Sequence, residues 1–475
     1  MSYVDRIRWQ CRIRAGEPAL ALPGPDQRIV TYGELGAAWN NAGRRLREFK
    51  IIPGAVYALL VKDPLLQLVL ALALDELGAA NMIIYDLKLP KAWPFPAILS
   101  DREVAESPWP VLLVDNSWLL GDGDPAQQDI IAATSDDICR VALTSGSTGT
   151  PKGVVLTRGV VQERIANLDY VFGEMAMHGR IMCCIVSAEH RSCLFALSRG
   201  GLYCYPEATI EATGRKISSL RVQSLIVAPS TLGEILKAPY ANRKGFQSLE
   251  LIRTGGSRVS RPLADRTREA LCNRIFIQYG ATETGTISTA PVEMVDLDEG
   301  EVGFVVPGVE LAAVDPKTQL PASGGRGILR VRSPQVASGY FGETAEANAF
   351  SDGAFYSRDL GSLSADGRVT LYGRDSNVVN LGGDKATIEL IELHYGKAPG
   401  IRELAAVPVR DSFDLTKMVA VIAPNDQWSE QKAWEHFRMN LPKNFWPVKL
   451  VVVEDLPRGA NGKIDRAKLE SVIGG

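Results

Sequence analysis

The segment Thr144-Ser-Gly-Ser-Thr-Gly-Thr-Pro-Lys-Gly153 packs hydroxyls, glycines and a single lysine into a short stretch. Glycines let successive backbone N–H groups turn into one concavity, which suits an anion. Ser145, Ser147, Thr148 and Thr150 add hydroxyl donors, and Lys152 adds a mobile positive charge. With Gly146 and Gly149 between them, these residues have the chemistry to hold a polyphosphate. Gly153 follows Lys152 where a Walker motif has Ser or Thr, so this is a different kind of phosphate loop. The apolar runs Val141-Ala-Leu143 and Val154-Val-Leu156 flank it and read as strands. A strand–loop–strand clamp, with no helix N-terminus behind it, is therefore expected. A flexible Ser/Gly surface turn is the plain alternative. Pro151-Lys152-Gly153 and the two apolar runs argue against it.

A second constellation is Tyr279-Gly-Ala-Thr-Glu-Thr284, after the strand-like run Ile275-Phe-Ile277. Gly280 there permits a tight turn at the C-terminal end of the strand, where ligands bind in α/β sheets. Tyr279 offers a flat face to a purine, Thr282 a hydroxyl to a phosphate, and Glu283 a hard carboxylate to Mg²⁺. The plain reading is a polar turn carrying an exposed Glu.

The elements that must position these groups follow from periodicity. Tyr32-Gly-Glu-Leu35 opens a helix through Leu46, Ala55 to Val61 reads as a strand, Leu65 to Leu77 as a helix, and Asn81 to Tyr85 as a strand. That alternation predicts a parallel sheet covered by helices. After the phosphate loop, Ile181–Val186, Leu202–Tyr205, Ser224–Val227 and Leu249–Arg253 read as strands between helices. From about Val302 to Gly373 short strands and turns predict a β-rich subdomain. The last hundred residues read as a compact α+β unit, with a helix over Glu430–Leu441 and a final strand over Lys449–Val453. The fold class is α/β: a large N-terminal domain of two α/β sheet subdomains plus a small β-rich subdomain, then a small mobile α+β C-terminal domain.

Composition narrows the partners. The 475 residues suffice for two or three domains with large cores. Hydrophobic content of 46% and charged content of 23% are ordinary for a globular chain. A net charge of −3 gives no reason to expect nucleic acid. The N-terminus has no apolar core of signal-peptide length, and Leu65 to Ala80 is interrupted by Gln67, Asp75 and Glu76. No membrane span and a cytoplasmic location are expected. Seven scattered cysteines suit buried thiols in a reducing compartment, and four separated histidines make no metal cluster.

The phosphate loop and the Tyr-Gly-Ala-Thr-Glu segment resemble signatures of the adenylate-forming superfamily, which comprises acyl-CoA synthetases, aryl-acid ligases and peptide-synthetase adenylation domains. Further segments match in the family's order. Thr254-Gly-Gly-Ser257, with Gly255, Gly256 and Ser257, is similar to the Gly-rich turn beside the adenine. Gly327 to Tyr340 resembles a core segment that is mostly structural. Asp359 stands in Ser357-Arg-Asp where the family has Thr-Gly-Asp. The resemblance implies that it accepts the ribose hydroxyls, and that Arg374 of Gly373-Arg374 contacts the ribose. Arg358 replaces a glycine there and is a departure. Asp375-Ser376 falls at the family's hinge, which usually holds an Asp. Gly382 and Gly383 of Leu381-Gly-Gly-Asp-Lys385 are implied to face a pantetheine tunnel; Lys385 replaces the serine of a carrier protein, so this is not a carrier module. Leu456 to Arg466 is similar to the C-terminal motif, and Lys463 resembles its catalytic lysine. In the acid pocket, Glu189 could pair with an ammonium, and His190 could face an acyl or aryl acid.

The resemblance implies domains at 1–373 and 374–475. It implies ATP-dependent adenylation of a small-molecule carboxylic acid, with Mg²⁺, followed by transfer to CoA or to the phosphopantetheine of a separate acyl-carrier protein. Catalytic roles fall on Lys463, Thr282 and Glu283, and nucleotide contacts on Thr144 to Gly149, Lys152, Tyr279 and Gly280. Stand-alone loading of an amino or aryl acid onto a carrier is one alternative. A non-catalytic nucleotide-binding protein on a decayed ligase fold is another, although Lys152, Glu283 and Lys463 are all present. A kinase-type transferase lacks its lysine context.

Overall fold

Local chemistry sets the first helices. Thr31 and Glu34 close a capping box at the start of helix Tyr32–Glu48. Asp63 caps helix Pro64–Glu76, and Pro64 takes the first turn, where its missing N–H costs nothing. The computed structural model describes residues 2–121, 134–144, 151–172, 180–185, 189–238, 245–342, 349–381, 384–411, 415–459 and 463–473.

Among the described residues two large sheets organise residues 1–374. A seven-strand sheet joins parallel strands Val56–Leu60, Ala80–Ile83, Ile98–Ser100 and Val111–Leu113 to the antiparallel pair Ile138–Thr144 and Lys152–Thr157. These are the two strands expected on either side of residues 145–150. Strand Gly339–Tyr340 adds to its outer edge.

The second sheet has fourteen strands. Its parallel centre comprises Leu202–Cys204, Ile181–Ile185, Ser224–Val227, Leu251–Gly255 and Ile275–Ala281. The β-rich segment is joined to this sheet edge to edge, because Gly285–Pro291 pairs with Ile275–Ala281 and Glu301–Val305 continues to Arg368–Arg374. The largest core lies between the two sheets. Leu59 and Leu99 of the first and Met182 and Tyr203 of the second meet there over helices such as Tyr3–Ile13 and Glu189–Ser198.

Residues beyond 375 have separate sheets, Val378–Leu381 with Asp384–Thr387 and Ile401–Arg410 with Thr416–Pro424 and Pro447–Val452. Their two apolar clusters draw only on residues 379–473. Among the described residues no helix is long and apolar enough to cross a membrane.

Candidate functional site

Asp359 and Arg374 sit directly opposite each other on neighbouring strands Ala354–Leu363 and Arg368–Arg374. Arg374 Nε donates to Asp359 Oδ1 at 3.1 Å, and the Tyr279 hydroxyl donates to Asp359 Oδ2 at 2.7 Å. The carboxylate is thus oriented from two sides. Burial first, then the Asp359 charge, raise the Tyr279 pKa well above the usual phenol value, so the phenol stays protonated and donating.

The Tyr279 segment departs from its expected geometry. The strand continues through Ala281, so Gly280 lies within it, and the turn comes at Thr282 to Thr284. A Cβ on Gly280 would stand 2.0 Å from the Gly285 carbonyl oxygen. Glycine here allows two backbones to close up rather than a turn to form. Gly255 does the same one strand over, where a Cβ would meet the Gln278 carbonyl at 2.3 Å. Gly256 takes the left-handed conformation at φ +89°, and it and Ser257 are exposed beyond the strand end.

Thr282 and Glu283 are half-buried in the turn. Glu283 Oε1 accepts from the Tyr340 hydroxyl at 3.0 Å. Its backbone carbonyl accepts from Arg164 Nη2 at 3.1 Å and from the Ala337 N–H at 2.7 Å. The 333–341 segment also reaches the clamp, since Ser338 and Phe341 N–H groups donate to the Val155 and Gly153 carbonyls. The segment expected to be structural therefore brackets the Glu283 turn to the strand that begins at Lys152. Thr144 pairs with Lys152 at the mouth of the clamp. Ser145, Gly146, Ser147, Thr148 and Gly149 lie outside the described residues, as do Gly382 and Gly383.

Lys463 lies on the loop after Arg458, and it is close enough to Arg374 and Asp359 to feel both charges. Loss of water, then Arg374, lower its ammonium pKa, and Asp359 opposes them. By surface area Lys463 remains exposed, so solvent screens this effect. The loop base is fixed on both sides. Gly459 N–H bonds the Lys463 carbonyl, Arg458 pairs with Glu403 at 2.6 Å, and Arg466 grips Glu392 at 2.9 and 3.2 Å.

Asp375 and Ser376 form a short 3₁₀ turn, Asp375–Asn377, immediately after Arg374. Arg358, the departure from the expected glycine, donates to Asp375 Oδ1 at 3.1 Å. Just before the turn, Gly373 has φ +115°, and a Cβ there would meet Glu389 and Thr387.

Of the two residues expected in the acid pocket, the structure describes the side chain of His190 alone. Glu189 begins helix Glu189–Ser198, and its side chain lies outside the described residues. His190 lines a cavity of about 10 Å³ with Tyr3, Asp75, Asn81 and Arg140, room for about one water. Burial, then Arg140, push its pKa well below the usual value, so it is neutral. Residues that the sequence reading missed lie on the other side of the turn: Arg164, Arg191 and Arg253, all losing basicity through burial. One signal was available. An arginine in the middle of Leu251-Ile-Arg-Thr-Gly255 interrupts a strand that should be apolar on both faces.

Tyr279, Arg374 and Asp359 thus meet at one place, and Glu283 is tied to the strand pair that begins at Lys152. A family model described as "AMP-binding enzyme" matches residues 7–341. The chain belongs to that family, within the adenylate-forming superfamily. Among curated relatives of this AMP-binding enzyme, 4-coumarate–CoA ligase 2 of Oryza sativa subsp. japonica is 28% identical over 375 residues, 75% of this chain and 66% of that protein. The nonribosomal peptide synthetase sidE of Aspergillus fumigatus is 24% identical over 508 aligned residues, 98% of this chain but 24% of the synthetase. The chain therefore spans just under two thirds of the first and about a quarter of the second. The crystal structure of ATP-bound MatB from Rhodopseudomonas palustris shares the fold, with a TM-score of 0.83, 21% identity and 99% coverage of both chains.

Proposed function

We propose that this chain activates a carboxylic acid with ATP and passes the acyl group to a thiol, most simply CoA. A carboxylate oxygen attacks the α-phosphorus, the bond to the β-phosphate oxygen breaks, and pyrophosphate leaves. The thiol sulfur then attacks the acyl carbonyl carbon, the bond from that carbon to the AMP oxygen breaks, and the thioester forms as AMP and the thiol proton leave. The observation that carries this reading is the Asp359 carboxylate, held by Tyr279 and Arg374, whose charge and that of Arg374 both reach Lys463. Asp359 would accept the ribose hydroxyls, and Lys463 would span the attacking carboxylate and the α-phosphate as charge redistributes.

Glu283 fits a Mg²⁺ role. It is half-buried and its carboxylate keeps acceptor capacity beside the Tyr340 bond. Among the described residues no group of three metal-ligating side chains exists, which suits an ion held by one carboxylate, water and phosphates. Bound there, Mg²⁺ would neutralise phosphate charge. The chain divides, on this reading, at 373/374. The C-terminal part rotates about Asp375 or Ser376 and exchanges Lys463 for the thiol.

The test is pyrophosphate exchange in the parent and in Lys463→Ala. Loss of one positioned charge predicts a fall of about 10²–10³, with nucleotide binding retained. Because Lys463 must be protonated to bridge two anions, adenylation should also fall as pH rises through its lowered pKa. Lys463→Arg, which stays charged, should abolish that alkaline limb. Unaltered exchange in Lys463→Ala would remove the lysine from the mechanism.

A carrier protein as acceptor is the second reading. It is favoured by the alignment with the peptide synthetase, which runs over 98% of this chain against 75% for the rice ligase. Thioester formation with CoA and with a phosphopantetheinylated carrier, assayed side by side, separates the two.

A further inference from the structure

Three arginines from three different elements are brought together beneath the Glu283 turn. Arg253 lies on a central strand of the large sheet, between Ser224–Val227 and Ile275–Ala281, and is 1% exposed. Its Nη2 donates to Thr286 Oγ1 at 3.0 Å, while its buried Nε and Nη1 have no hydrogen-bond partner. Arg191, on helix Glu189–Ser198, also has a buried Nε with no partner. Arg164 is buried too, but its donors go to the Gln335 and Glu283 carbonyls.

Arg191 is close enough to repel each of the other two. Arg191 contributes to lowering the basicity of both Arg164 and Arg253, after burial, and both come down to about 9. Among the described residues Arg253 and Arg191 have no carboxylate partner; only Cys184 offsets them, and Glu283 offsets Arg164 alone. Buried charge without a counter-charge is costly, and buried guanidinium donors left open are costly again. The cluster also lies at the turn. Thr286 follows Gly285, and a Cβ on Gly285 would stand 3.3 Å from Arg164 Cγ. The acid to be adenylated must lie near this turn if Thr282 and Glu283 serve the phosphates.

We propose that the acid carries a second negative group, a second carboxylate or its sulfonate or phosphonate equivalent, gripped by Arg253 and Arg191. This rests on the ligase reading and deepens it. A planar guanidinium matches a carboxylate with two parallel donors, and the second group supplies a counter-charge that the described residues do not. The same cluster repels an α-ammonium, so a simple α-amino acid is the wrong substrate.

The experiment compares succinate, glutarate and terephthalate with their own monomethyl esters in pyrophosphate release. At least one diacid should exceed its ester by about 10² in kcat/KM, the worth of one charge-assisted pair. Arg253→Met, which keeps length and removes charge, should narrow that ratio to within about threefold, and Arg253→Lys should restore part of it. If Arg253→Met fails to fold, Arg191→Gln and the parent's own ratio decide. Esters equal to diacids in the parent, or a ratio unchanged in a folded Arg253→Met, overturn the proposal. Thermal shift is the readout independent of turnover. A shift with diacid, lost in Arg253→Met, with no pyrophosphate release from any acid, keeps the anion site and sinks the ligase reading. A shift with ATP or pyrophosphate alone that Arg253→Met abolishes makes the cluster a nucleotide-phosphate site and overturns the proposal.

Discussion

Asp359→Asn isolates the nucleotide contact. Among the described residues the carboxylate accepts from Tyr279 at 2.7 Å on one oxygen and from Arg374 at 3.1 Å on the other. Each oxygen retains a lone pair for a ribose hydroxyl. A hydrogen bond to a charged group is worth about 1.5–3 kcal/mol, a neutral one about 0.5–1.5. Asparagine turns one acceptor into a donor and makes the other neutral. One ligand hydrogen bond is lost and the second weakens by about 1 kcal/mol, a total of about 2.5–4 kcal/mol. The Arg374 pair adds little, since that side chain is 56% exposed and a screened pair contributes under about 1 kcal/mol. The ATP dissociation constant should therefore rise by about 10²–10³. Calorimetric titration with ATP and with 2′,3′-dideoxy-ATP measures it. The parent should bind the dideoxy nucleotide more weakly by a similar factor, and the variant should bind both alike. A folded variant that still prefers ATP over the dideoxy form would show that the ribose is read elsewhere.

Three further outcomes follow from the same geometry. Glu283→Gln keeps the Tyr340 contact but loses charge, so half-maximal activity should need roughly tenfold more Mg²⁺; an unshifted Mg²⁺ titration would leave Glu283 as a turn carboxylate. Gly280→Ala forces a Cβ onto the Gly285 carbonyl, which is backbone and cannot swing aside; denaturant unfolding should show a loss of about 3 kcal/mol, and a parental midpoint would contradict the close approach. Ser376→Pro fixes φ near −65° in the turn after Arg374; pyrophosphate exchange and thioester yield, measured on one preparation, should fall by unequal factors. Equal rates to the parent in both assays would move the rotation point away from Ser376.

What the sequence determined by itself is local. Alternating apolar runs announced the strands on both sides of the phosphate loop and the parallel centre of the large sheet, because a buried strand needs apolar side chains wherever it lies. Helices Tyr32–Glu48 and Pro64–Glu76 were legible from their caps and periodicity. The order of motifs carried the family, and with it the roles expected of Asp359, Arg374 and Lys463. Only the tertiary structure decided how these meet. Gly280 reads as a turn residue until the opposing carbonyl of Gly285 is seen to occupy the space of its Cβ. Arg358 reads as a loss until Asp375 appears across from it. Segment 333–341 reads as filler until it ties Glu283 to the clamp. Arg164, Arg191 and Arg253 belong to a helix, another helix and a strand, and no spacing links them. Their convergence follows from strand order and from helices packed between two sheets. Sequence encodes a residue's own preferences within a few positions, whereas the burial of a charge depends on every element that closes over it.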